Sequence, residues 1–248
     1  MKLLTALIVA CIAPMLFATE RITLYSHYDF PPFWRADGYG LTQELAHRLS
    51  EQSKGAYQFE VQITPRKRID LLLEDPKWQG IIPWVSPIWF RDETKTHYAW
   101  SGVIMHDADL VLSYQAFNYT NPESMSGKTL GGILGHRYAE FEALISSGRI
   151  VRDDAPNQDM NLKKLQARRV DFVFIPHSSW IELRLSTPAA VAGLYAASTP
   201  RNRYERLILI SPNQTGLIKF INKAVDEMAK DPKWQNKIRQ YSYIDIAP

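Results

Sequence analysis

From residue 21 onward, short stretches of period-two hydrophobicity alternate with longer stretches whose apolar residues recur every three or four positions. RITLYS (21–26) reads as a strand, and Pro31, Pro32, Gly38 and Gly40 keep the next segment, HYDFPPFWRADGYG, out of regular structure. Leu41, Leu45 and Leu49 mark one face of a helix running to about Lys54. Tyr57, Phe59, Val61 and Ile63 alternate with polar residues, a second strand. Thr64-Pro65 predicts a helix start with proline at its first position, and Ile69, Leu72 and Leu73 give that helix its apolar face. QGIIPWVSPIWFRDE (79–93) then opens as a buried strand and ends in a stiff aromatic turn on Arg91. The order β-loop-α-β-α-β predicts an α/β layer with a mostly parallel sheet.

The rhythm restarts near residue 128. KTLGGIL (128–134) reads as a strand, 138–146 as a helix, 150–152 as a short strand, and 161–168 as a helix. VDFVFI (170–175) is a strand, 178–185 a helix, and LILI (207–210) a last strand. Leu217, Phe220, Ile221, Ala224, Val225 and Met228 line one helical face, and Trp234 and Ile238 continue into a final helix. Two such units predict two lobes. The chain is expected to leave the first near Leu110 and return near Arg206, so that residues 19–110 with 206–248 form one lobe and 111–205 the other. Ligands of open α/β sheets sit beyond the carboxyl ends of the strands. That singles out four loops: His27–Trp34, Pro83–Arg91, Gly135–Tyr138 and Pro176–Ser179.

Composition narrows the setting. MKLLTALIVACIAPMLFA (1–18) has one early lysine, an apolar run and a small residue before Thr19, the layout of a cleaved secretory signal peptide. A lipid-carrying Cys11 is the lesser alternative, because the apolar run continues for seven residues past it. Cleavage after Ala18 would remove the one cysteine, so the expected periplasmic protein stands without a disulfide. It would leave 28 Lys and Arg against 26 Asp and Glu, scattered rather than striped, which argues against a nucleic-acid partner. Six histidines (27, 47, 97, 106, 136 and 177) form neither HxxxH nor HExxH, so no metal or other cofactor is expected.

Four stretches in register carry a resemblance. PPFW with DGYGLTQELAHRLS, SPIWFRDETKTHYAWS, SGKTLGGILGHRYAEFE and NLKKLQARRVDFVFIP are similar to segments of the bacterial extracellular solute-binding proteins of family 3. These are polar amino acid binders that serve ABC importers, and the likeness spans residues 21 to 242 in the family's order. It implies a two-lobe periplasmic binding protein type II fold with two hinge strands, acting as a monomer that closes over a small ligand. It places Arg91 where the family grips the ligand's carboxylate and Ser86 at the matching serine. A guanidinium offers a planar fork suited to that group, although Arg91 could instead be a surface ion pair with Asp92 or Glu93.

Two departures change the expected ligand. Arg137 stands where the family usually has Thr or Ser, a second cation suited to a more acidic solute or, equally, a solvated first-turn residue. Pro176 replaces the aspartate that would receive an α-ammonium, which would leave that charge unpaired in a closed cleft. Asp29 could supply the missing carboxylate. Phe30, Phe33, Trp84 and Trp89 are candidates for the cleft wall, Trp84 most of all and Phe33 least, and His177 is a candidate contact. GxSxG, SxxK and phosphate-loop motifs are absent from the sequence, so the expectation is binding of a small carboxylate and delivery to an ABC permease, not catalysis. The alternatives are a ligand-sensing partner of a separate membrane receptor and a dehydratase-like enzyme using Glu182 or His177.

Overall fold

The computed structural model describes residues 18–244. The expected leader and the alternative lipid site at Cys11 lie outside the described residues, apart from Ala18. In chain order the elements are β1 (Glu20–Ser26), α1 (Leu41–Gln52), β2 (Tyr57–Ile63), α2 (Arg66–Glu74), β3 (Ile81–Val85), β4 (Ala99–Trp100) and β5 (Met105–Ser113). Then follow β6 (Thr129–Ile133), α3 (Glu142–Ser146), β7 (Val151–Ala155), α4 (Gln158–Gln166), β8 (Phe172–Pro176), α5 (His177–Ser186), β9 (Tyr195–Ala196), β10 (Asn202–Ile210), α6 (Thr215–Met228) and α7 (Pro232–Arg239).

The two units share one topology. β1 pairs in parallel with β2 on one side and β3 on the other, and β6 does the same with β7 and β8. The strand order β2-β1-β3-β10-β5-β8-β6-β7 joins the halves through β10 and β5 alone. Residues 202–206 of β10 pair antiparallel with residues 105–109 of β5. The apolar end of β10 continues beside β3 and β4, while the far end of β5 runs beside β8. The result is two lobes on a two-stranded connection. Apolar clusters cover both faces of each lobe's sheet, as a parallel sheet requires.

Three local differences from the sequence pattern have physical causes. Pro65 caps α2 and is not its first residue: at ψ 144° it stays extended, and the amides of Arg68 and Ile69 donate to its carbonyl. The helix expected over 138–146 begins late, after a 3-10 turn at Ala139–Phe141. Tyr138 is pinned outside it, its hydroxyl accepting from the Ile133 amide and its ring 5.2 Å from Phe174. The third concerns β3. Pro83 removes a donor from an internal strand, the register with β10 slips between Leu207 and Leu209, and Trp84 takes φ 66°. That kink turns the Trp84 carbonyl out of the ladder and toward Arg206.

Candidate functional site

In each lobe the chain steps from the central strand outward to one neighbour, then back across to the other. The strand order therefore reverses beside β1 and beside β6, and the loops leaving these strands flank the crevice where such sheets bind ligands. His27 follows β1 directly and His136 lies three residues past β6. Their rings meet across the seam between the lobes, 6.1 Å apart and nearly perpendicular. Beside them Gly135, at φ 85°, lets its turn lie against the Lys67 side chain of the first lobe: a Cβ there would lie 2.9 Å from Lys67 Cγ.

The floor of the crevice is one face of the β5/β10 ribbon, a chain of buried charges. Arg206 Nε donates to Asp107 Oδ2 at 2.8 Å, Nη1 to the Tyr28 hydroxyl and the Trp84 carbonyl, and Nη2 to the Tyr204 hydroxyl. Its guanidinium also lies within 6 Å of the Tyr28, Phe33, Trp89 and Tyr204 ring centroids. Tyr204 passes the contact on to Asp109 Oδ1 at 3.0 Å, and Arg201 holds Asp109 Oδ2 at 3.1 Å while also pairing with Glu140. Asp107 meanwhile accepts from the amide and hydroxyl of Ser178, capping the first turn of α5 in the second lobe. A buried charge is costly unless paired, and every carboxylate on this floor is paired.

Four arginines from both lobes surround the seam, each already paired with a carboxylate. Burial, and then the nearby Arg66, hold the His27 imidazole well below its ordinary range, with His136 and Arg206 adding to the effect. Burial, then Arg66, Arg152 and Arg201, lower His136 to about 4, and Asp154 opposes them only in part. Two neutral imidazoles thus face each other among four arginines drawn from both lobes. His27 Nδ1 is buried without a hydrogen-bond partner. Arg66 is held by Asp70 at 2.8 Å and by the Trp89 carbonyl, and Arg152 by Asp154 and the carbonyls of Ile133 and His136.

A second set of contacts crosses between the lobes. Buried Glu182 on α5 accepts from Arg35 at 3.1 Å and from the Tyr241 hydroxyl at 3.0 Å. Within the first lobe's part of the chain, the Tyr243 amide donates to the His106 carbonyl on β5, holding the C-terminal segment beside this contact.

The residues expected from sequence are placed as follows. Arg91 is exposed, in the left-handed region at φ 54°, and its guanidinium makes no ion pair or hydrogen bond among the described residues. Ser86 is buried at the start of the 3-10 turn that carries it, its carbonyl accepting from the Trp89 amide. Arg137 lies beside His136, exposed and loosely paired with Glu142 at 3.5 Å. Asp29 is exposed, two residues past His27, and Phe30 packs edge-on to Tyr28 against the first lobe's core. Trp84 is fully buried against Phe33 and Trp234, so only its carbonyl reaches the floor. His177 turns away toward the C-terminal segment, with Nδ1 3.3 Å from the Tyr241 carbonyl and its ring against Tyr243.

Sequence reasoning passed over Asp107, Tyr204 and Arg206, because β5 was not anticipated and β10 was expected only as its apolar end. A signal was present: NRYER before LILI keeps a period of two, with Asn202, Tyr204 and Arg206 on one face. His27 and His136 both stood in candidate loops but were weighed only for metal spacing.

No family model matches the chain, and no curated protein matches it. Solved structures do. An ancestral arginine-binding protein bound to arginine is similar at a TM-score of 0.72 and 17% identity, over 91% of this chain and 99% of that one. A structure from work on glutathione import via GshT and the cystine ABC importer TcyBC of Streptococcus mutans gives 0.73 at 14% identity, covering 90% and 95%. The GluR0 ligand-binding core from Nostoc punctiforme, in complex with L-glutamate, gives 0.69 at 13%, covering 89% and 98%. The fold is that of two-lobe periplasmic binding proteins, consistent with the resemblance to family 3.

Proposed function

We propose that this chain is a periplasmic solute-binding protein that captures a small anionic solute between its lobes and presents it to an ABC-type importer. The observation that carries the reading is the set of four arginines around the seam between the lobes, two of them on the crevice floor. Arg66 and Arg206 from the first lobe's side, and Arg152 and Arg201 from the second, all act on the facing pair His27 and His136. Closing two lobes over an anion places its charge in that field, and a ligand that bridges both lobes stabilises the closed state by its differential contacts. We assign Arg91 and Arg137, both exposed and on opposite lobes, as the cations that complete the grip.

Arginine-, glutathione- and glutamate-related neighbours support a small ligand with at least one carboxylate. We place the lobes at residues 19–110 with 206–248 and at 111–205, with β5 and β10 as the hinge. Binding is favoured over catalysis because Glu182, the candidate acid or base of a dehydratase reading, is tied to Arg35 and Tyr241. A thermal-shift screen over amino acids, dicarboxylates and other small acids tests the proposal. A ligand-dependent rise in melting temperature with an acid, and no turnover product by mass analysis, is the expected outcome. Absence of any shift across the screen would falsify it.

A further inference from the structure

We propose that the His27–His136 seam determines specificity: it takes the carboxylate of a solute that carries no ammonium group, and takes up a proton as it does so. The inference rests on the solute-binding reading and deepens it. Its first support is a census of negative charge. Asp107 is bound to Arg206, Asp109 to Arg201 and Tyr204, Asp154 to Arg152, and Glu182 to Arg35 and Tyr241. An incoming ammonium at the seam would meet imidazoles and guanidiniums and, unless exposed Asp29 at the rim received it, would have to break one of these pairs, at the cost of an unpaired buried charge. A carboxylate faces no such conflict.

The second support is the geometry of the imidazole pair. One ring comes from each lobe, so both can touch one ligand only when the lobes close. His27 Nδ1 is buried with no hydrogen-bond partner among the described residues, a hydrogen-bonding position left unused on one ring of the pair. The groups facing His27 are Tyr28 from its own loop, Arg66 from α2, Arg206 from β10, and His136. Those facing His136 are Arg66, Arg152 and Asp154 from β7, and Arg201 from the segment before β10. Burial first, and the neighbouring cations second, keep both rings neutral in the free protein. A carboxylate brought against the two rings as the lobes close offsets the local positive field, so a proton from solvent moves onto an imidazole nitrogen. The protonated ring has donors on both nitrogens and makes a charge-assisted bond to the ligand. The sign follows: the proton is held more tightly in the complex, so affinity rises as pH falls from the bound-state value toward the free-state value.

Glutarate and L-glutamate differ only by the amino group and are the probes. The expected result is that glutarate binds, tightening by up to about tenfold per pH unit between pH 8 and pH 6. Calorimetry in two buffers of different ionisation enthalpy should read uptake of close to one proton, and L-glutamate should bind at least about tenfold more weakly. In a His27→Gln/His136→Gln variant the affinity should no longer depend on pH. If that variant does not fold, the proton count of the wild-type protein decides alone. L-glutamate binding as tightly as glutarate, with loss on Asp29→Asn, overturns the inference and assigns Asp29 to an ammonium. Glutarate binding without proton uptake, or no glutarate binding while another small acid shifts the melting temperature, overturns it while leaving the solute-binding reading intact. Failure of every acid overturns both.

Discussion

Asp107 and Arg206 form a 2.8 Å salt bridge in which neither side chain keeps any exposure. The two residues lie diagonally across the antiparallel pairing of β5 and β10, the strands that join the lobes. Four of the five N–H donors of Arg206 are used, and the same carboxylate caps α5 through Ser178. Hinge, first-lobe kink and second-lobe helix therefore share one ion pair.

Arg206→Leu leaves Asp107 buried without its counter-charge, and breaking one side of such a pair costs about 3–5 kcal/mol. Urea unfolding should show a loss in this range, and Arg206→Leu/Asp107→Asn should recover part of it. A loss under about 1 kcal/mol for the single variant would mean that Asp107 has another partner or is protonated.

Glu182 stitches the second lobe to Arg35 and Tyr241 of the first. Burial and the adjacent carboxylate raise the Tyr241 phenol to about 12. Glu182→Ala removes both contacts at once, so the free protein should populate more open conformations, with a larger radius of gyration by small-angle X-ray scattering. Arg35 is nearly half exposed, so the expected effect on global stability is small, about 1 kcal/mol or less for the ion pair itself. An unchanged scattering profile would show that the hinge alone sets the closed geometry.

Arg91 adopts a left-handed conformation that suits glycine better than a side chain, and its guanidinium has no partner among the described residues. Arg91→Gly should leave the stability of the free protein unchanged or raise it by up to about 1 kcal/mol, while reducing the solute-induced thermal shift. If the shift survives Arg91→Gly and disappears in Arg66→Ala, the carboxylate anchor is the α2 arginine.

The parallel units were legible because each strand and helix buries a face of its own: Leu41, Leu45 and Leu49 end where the spacing puts them. The hinge was not, because the first half of β10 has no apolar face to bury. Its residues are held by cross-strand pairing and by a charge network whose members are far apart in sequence, as Tyr28, Asp107 and Arg206 are. Arg91 stands in the loop after β3, where the sequence reading had it, but the Trp84 side chain does not face the floor. Pro83 reverses which part of Trp84 meets the floor, and no periodicity encodes a kink of that kind.

The turn that carries Arg91 is fixed by its neighbour, and this gives a pH-dependent test. Asp92 is buried, and its carboxylate accepts from the amides of Thr96, His97 and Tyr98 and from the Trp100 indole at 2.7 Å. Burial alone would push the carboxyl up, but the Trp100 and backbone hydrogen bonds outweigh it and hold it below the ordinary carboxylate range. A group depressed in the folded state contributes stability that is present above its unfolded value, near 4, and is lost as pH falls through the folded value. Asp92→Asn turns one acceptor oxygen into a donor facing N–H groups, much as protonation does. At pH 7 it should cost about 1–3 kcal/mol by urea unfolding, and the gap to the wild-type protein should narrow as the pH is lowered below about 4. Because the loosened turn includes Arg91, the variant should also weaken solute binding beyond its loss of stability. A cost that is the same at pH 7 and pH 3 would mean that the Asp92 charge is not what holds the turn.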